Sequence, residues 1–174
     1  GMEADIKTME ELGVYGMPAL TCIVTMHPTT WEHSVFPLPL DLVEKQLVTA
    51  IEGVGINAMK TGMLGSSELV ELGAATIDKY DLHNVVIDPV MVCKGCDLIL
   101  VPDAAESIKK LLMPCCDIIT PNTVEAAYLA DMPEVTTVEQ IKEAAEKIVA
   151  AGAKSVVIKG GERLSDNSAI DIFY

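Results

Sequence analysis

Five short strings place polar side chains or glycine where an apolar run stops. They are Thr25-Met26-His27, Lys60-Thr61-Gly62-Met63, Asp88-Pro89-Val90, Thr120-Pro121-Asn122 and Lys159-Gly160-Gly161. Together they offer a carboxylate, an amide, lysines, and backbone that a ligand can approach closely. Carboxylate oxygens suit a hard divalent cation, and a lysine suits a phosphate as a point charge. The chain carries 12 basic and 26 acidic residues, a net charge of −14. It therefore repels an anion at long range, so a phosphate site in it depends on a local lysine, a divalent metal or a helix N-terminus. Neither GxGxxG nor GxxxxGK[ST] occurs, which argues against a dinucleotide fingerprint or a P-loop.

Other strings are set aside on spacing. Ser107-Ile108-Lys109-Lys110, Ser165-Asp166-Asn167 and Lys60-Thr61-Gly62 match S-x-x-K, S-D-N and K-T-G of penicillin-recognising enzymes. Their order is wrong, because K-T-G leads here and closes that set. Cys93-x-x-Cys96 followed by Cys115-Cys116 hints at zinc-ligand spacing. The second pair is adjacent, so both thiols cannot readily face one ion from one strand. The plainer reading is a loop thiol and small buried apolar residues.

The elements that must hold the strand ends alternate along the chain. Helices are expected over 3–12, 40–52, 66–80, 103–112, 122–130 and 137–151, the last stopped by Gly152. Ser66 or Ser67 is the expected cap of the third. Buried strands are expected over 17–25, 56–60, 84–88, 117–120 and 155–159, with a further strand over 169–174 and a short one at 34–36. Short apolar strands joined through helices imply a parallel sheet with helices on both faces, and ligands of such sheets sit at the carboxyl ends of the strands.

With 174 residues, half of them hydrophobic, the chain is long enough for one cored domain. Its acidity argues against nucleic-acid or anionic-membrane partners, and no stretch is apolar for long enough to span a bilayer. Five cysteines and no export signal read as reduced thiols of a cytoplasmic protein.

The strand-end strings also match a known set in order. Glu3-Ala4-Asp5-Ile6-Lys7-Thr8 with Tyr15-Gly16-Met17 resembles the segment after the glycine-rich turn of hydroxymethylpyrimidine and pyridoxine kinases, of the ribokinase superfamily. Lys60-Thr61-Gly62-Met63-Leu64, Val86-Ile87-Asp88-Pro89-Val90-Met91, Ile119-Thr120-Pro121-Asn122-x-x-Glu125-Ala126 and Val157-Ile158-Lys159-Gly160-Gly161 look like the following blocks. After the family's second strand the pyrimidine branch usually carries a Gln-Asn pair that reads the aminopyrimidine. Here Thr25-Met26-His27-Pro28, Trp31-x-His33 and Val35-Phe36-Pro37 are similar to the pyridoxine and pyridoxal kinases. Met26 cannot make the two-point contact of an amide.

The resemblance implies a three-layer α/β/α ribokinase-like sandwich with a mostly parallel central sheet, one domain over residues 1–174. It implies ATP-dependent phosphorylation of the hydroxymethyl group of a B6 vitamer, with Mg²⁺. The alternatives are a hydroxymethylpyrimidine (phosphate) kinase and a non-catalytic binding remnant of the fold. Asp88 and Glu125 are implied to hold Mg²⁺ through water, and Asn122, Glu125, Lys159 and Gly160 to hold the nucleotide. Asp5, Val24, Met26, His33, Met63, Val90 and Cys93 are implied around the substrate ring. Each has a plain counterpart: a strand-ending cap for Asp88, a first-turn helix charge for Glu125 and Asp5, an exposed lysine for Lys159, and ordinary core for the aliphatics. Trp31 is expected to pack its loop.

Cys93, beside Lys94, is expected to add reversibly to the aldehyde of pyridoxal, which adduct spectra of Cys93→Ala would test. The resemblance also implies a homodimer, to which Ser34 to Pro39 contributes. By the same comparison the chain lacks a first strand with its glycine-rich turn, and a late Gly-x-Gly loop bearing the catalytic base. No catalytic residue is therefore named, and the chain alone is expected to show no turnover.

Overall fold

The structure, a computed structural model, describes residues 1–91, 101–161 and 169–174. Cys93, Lys94, Cys96 and the string 165–167 lie outside the described residues. The chain divides into two compact units, Gly1–Ile56 and Asn57–Tyr174.

The first unit holds helix α1 (Met2–Glu11), strands β1 (Cys22–Met26) and β2 (His33–Pro37), and helix α2 (Leu40–Val48), which continues in wider turns over Thr49–Val54. Met26 lies opposite His33 and Cys22 opposite Pro37, so β1 and β2 form an antiparallel ribbon. The connection is tied by His27, whose Nδ1 accepts the N–H of Thr30 at 3.2 Å. Gln46 of α2 behaves as a strand partner for Leu20: its Oε1 accepts the Leu20 N–H at 2.9 Å and its Nε2 donates to the Leu20 carbonyl at 3.1 Å.

Two expectations fail here. The apolar run ending at Thr25 is not a buried parallel strand: among the described residues β1 pairs only with β2 in a two-stranded sheet, and Ile23, Val24 and Met26 are exposed. Continuous hydrophobicity signals burial on both faces, but a two-stranded ribbon has no covering layer of its own. Trp31 does not pack its loop. It is 66% exposed and sits at φ 60°. Val43 is the one residue of this unit that is buried.

The second unit carries the core. Strands β3 (Met59–Thr61), β4 (Val85–Ile87) and β5 (Ile118–Ile119) are parallel, with Thr61 opposite Ile87 and Ile87 opposite Ile119. Parallel bridges Ile119–Val156 and Asn122–Lys159 continue the sheet into β6 (Val157–Lys159), which β7 (Asp171–Phe173) flanks antiparallel. The parallel part thus matches expectation, with one antiparallel strand at its edge.

Helices α3 (Ser67–Lys79) and α4 (Pro102–Ser107) pack together, as do α5 (Thr123–Leu129) and α6 (Val138–Ala150). Their starts follow cap chemistry. Ser66 Oγ accepts the Leu69 N–H, and Thr137 forms a reciprocal box with Gln140. Gly152, at φ 126°, stops α6, and a Cβ there would meet the Pro114 backbone at 3.4 Å. Val70, Val85, Ile87, Leu112, Ile119, Ile141, Ile148, Val156 and Ile158 are fully buried and form one cluster. Among the described residues no helix is long and apolar enough to cross a membrane.

Candidate functional site

Register decides where the polar strand ends meet. Because β3, β4 and β5 run parallel and in step, the residues that follow them emerge at one edge of the sheet. The Asp88 N–H donates to the Thr61 carbonyl, the Thr120 N–H to the Ile87 carbonyl, and the Lys159 N–H to the Pro121 carbonyl at 2.8 Å. Lys60, Asp88, Asn122 and Lys159 are thereby brought from four chain segments to that edge.

Asp88 lies between two lysines. Lys159 Nζ is 3.1 Å from Oδ1, and Lys60 Nζ is 3.6 Å from Oδ2. Asp88 follows β4 directly, and the buried Pro89 fixes the turn behind it. The two ammonium groups come from β6 and β3, strands on opposite sides of β4. Lys60 was picked out with its strand-end string but given no role of its own. The signal for it was its place at a strand end in the Lys-Thr-Gly-Met string.

Glu125 is buried, 3% exposed, at the start of α5. Its Oε2 accepts the Asn122 N–H at 2.9 Å and its Oε1 the Met91 N–H at 3.1 Å. Asn122 answers by accepting the N–H groups of Val124 and Glu125 through Oδ1, so α5 begins with a complete capping box. Burial holds the Glu125 carboxyl above the ordinary glutamate range. The two backbone N–H groups and Lys159 pull the other way, and the Asp88 charge adds to the rise. Thr61, beside Lys60, has a buried hydroxyl with no hydrogen-bond partner among the described residues.

Gly160 is buried at the end of β6, its N–H directed to the Ile170 carbonyl at 3.0 Å and to Asp171 Oδ1 at 3.2 Å. Met63 and Val90 are half-buried in this unit. Asp5, in the first turn of α1, and Val24, Met26 and His33, on the exposed β1–β2 ribbon, lie in the first unit. Cys93 lies outside the described residues. Cys115 and Cys116 are free thiols that donate to the Leu111 and Met113 carbonyls, and burial pushes the Cys116 thiol up to about 11. Among the described residues no group of three or more His, Cys, Asp or Glu could hold a metal ion.

An aspartate at a parallel-strand end, a capped helix start beside it and a lysine running into Gly-Gly form one constellation. The sequence of the whole chain, residues 1–174, matches the family model described as phosphomethylpyrimidine kinase. The chain belongs to the phosphomethylpyrimidine kinase family. All of it aligns with the pyridoxine kinase of Bacillus subtilis at 49% identity, covering 65% of that protein. The crystal structure of an ADP complex of Bacillus subtilis pyridoxal kinase superposes with a TM-score of 0.94 at 49% identity, over all of this chain and 66% of that one. The hydroxymethylpyrimidine/phosphomethylpyrimidine kinase of Bacillus subtilis is 39% identical over all of this chain and 64% of its own length. The fold of this family member is therefore ribokinase-like, and the chain spans just under two thirds of the relatives it matches.

Proposed function

We propose that the protein carrying this chain transfers phosphate from ATP to the hydroxymethyl group of a B6 vitamer: pyridoxal, pyridoxine or pyridoxamine. One observation carries the reading. Asp88 is gripped by Lys60 and Lys159 at the sheet edge where Asn122 and Glu125 open α5. The relative at 49% identity is a pyridoxine kinase, and the hydroxymethylpyrimidine kinase is more distant at 39%.

The donor set fits Mg²⁺. This ion is held through one or two carboxylates plus ligand phosphates, and keeps much of its water. Asp88, which turns both oxygens toward cationic groups, and Glu125 would be the carboxylates that hold the ion, and the ion would supply charge neutralisation at the phosphates. Lys159 then places its ammonium against phosphate oxygens, and Gly160 lets backbone approach them. Asn122 and Glu125, tied to each other in the capping box that starts α5, are the candidates for the nucleotide side of this edge. Met63 and Val90 are this unit's candidates for the ring wall. A homodimer using Ser34 to Pro39 belongs to the same proposal, since Val35 and Phe36 are 51% and 55% exposed.

The test is calorimetry of ADP with Mg²⁺ on this chain, and turnover by the complete protein with pyridoxal and with hydroxymethylpyrimidine as competing alcohols. Lys159→Met should lower turnover about 100-fold, the scale of removing one contact to a developing anion. Preference for the pyrimidine would overturn the substrate assignment. ADP binding without ATP consumption by the complete protein would overturn the enzyme reading.

A further inference from the structure

Lys60 is the residue at this edge that the reading above leaves without a task. Its side chain is 28% exposed, and that of Asp88 23%. The Lys60 ammonium has Asp88 Oδ2 at 3.6 Å, while Oδ1 serves Lys159 at 3.1 Å. Both Glu125 oxygens already accept backbone N–H groups, from Asn122 and Met91. One carboxylate thus faces two ammonium groups from different strands. A divalent cation that takes Asp88 competes with both.

We propose that Lys60 is a second anion-holding residue of this site, resting on Asp88 when no ligand is bound and turning to phosphate oxygens when a divalent cation occupies Asp88. The inference rests on the nucleotide reading given above. The geometry supports it over a purely structural role. A tether for Asp88 needs one lysine, and Lys159 already provides the shorter contact. The β3–β4 register carries Lys60 to the same edge as Lys159 whatever Asp88 does. The displaced charge therefore stays beside the bound anion.

The proposal separates two affinities that a structural lysine would move together. In Lys60→Met, Mn²⁺ binding without nucleotide, followed by electron paramagnetic resonance, should tighten about threefold, because one competing cation is gone. ADP binding in the presence of Mn²⁺ should weaken about tenfold, the scale of one charge-assisted contact. Lys60→Arg should restore most of the ADP affinity. Loss of both affinities together with a lower melting temperature would show a structural tether and overturn the proposal. Unchanged ADP affinity in Lys60→Met, alongside a clear loss in Lys159→Met, would overturn the Lys60 assignment alone. Wild-type protein that binds no ADP would overturn the nucleotide reading, and this assignment with it.

Discussion

Glu125 Oε1 accepts the backbone N–H of Met91 at 3.1 Å, joining the start of α5 to the segment that leaves β4. Its other oxygen accepts the Asn122 N–H. One buried carboxylate therefore sets the distance between the turn that carries Asp88 and the helix start that carries Asn122. Glutamine keeps the shape but has a single acceptor oxygen, and its amide nitrogen would face a backbone donor. Glu125→Gln is expected to cost about 1–3 kcal/mol of folding stability near pH 5, as expected for a buried donor left unsatisfied. Urea denaturation checks this, and an unchanged midpoint would refute it.

The same carboxyl makes stability depend on pH in an unusual direction. Burial raises its folded-state value above the ordinary one, so over the window between the two the folded chain binds more protons than the unfolded chain. Stability from this group falls as pH rises from the ordinary glutamate value of about 4.3 through the folded-state value. Asp117 runs oppositely. The Lys154 ammonium at 2.6 Å and the Val85 N–H at 2.8 Å hold its carboxyl below the usual range. Its contribution is present above the unfolded aspartate value and is lost as pH falls through the folded one. Comparing wild type with Glu125→Gln isolates the first effect: the disadvantage of the glutamine variant should shrink as pH rises from the ordinary glutamate value through the raised folded-state one. A difference that stays flat would contradict the raised value.

The Asp88–Lys159 pair should contribute little to stability despite its place in the site. The Lys159 side chain is 43% exposed, and solvent screens such a pair to about 0.5–1 kcal/mol. A double-mutant cycle with Asp88→Asn and Lys159→Met measures the coupling directly. A coupling well above about 2 kcal/mol would mean that the pair behaves as buried.

Thr61 hides a hydroxyl that has no partner among the described residues. Thr61→Val keeps the branched shape suited to β3 and removes the desolvated oxygen. It is expected to leave stability unchanged or raise it by about 1 kcal/mol. A loss of stability on thermal melting would show that the hydroxyl is bonded after all.

Much of the second unit could be read directly from sequence. The apolar runs ending at Thr61, Asp88, Thr120 and Lys159 became parallel strands, because buried strands need continuous hydrophobicity and the helices between them show period 3.6. Ser66, Asn122 and Thr137 marked helix starts because their side chains meet the backbone N–H groups of the next turn, a local interaction. The run before Met26 misled, because hydrophobicity reports a tendency to be covered and does not say whether the same unit supplies the cover.

The sequence by itself determined the order of elements, the strand ends that carry charge and the family to which they belong, all set by nearest-neighbour chemistry and local periodicity. Only the tertiary structure decided that Asp88 is shared by Lys60 and Lys159, and that Glu125 serves the Met91 and Asn122 backbone. Those contacts join residues on different strands or elements, 34 positions apart for Glu125 and Met91 and 71 for Lys159 and Asp88. Sheet register and burial, which no local pattern encodes, fix such distances.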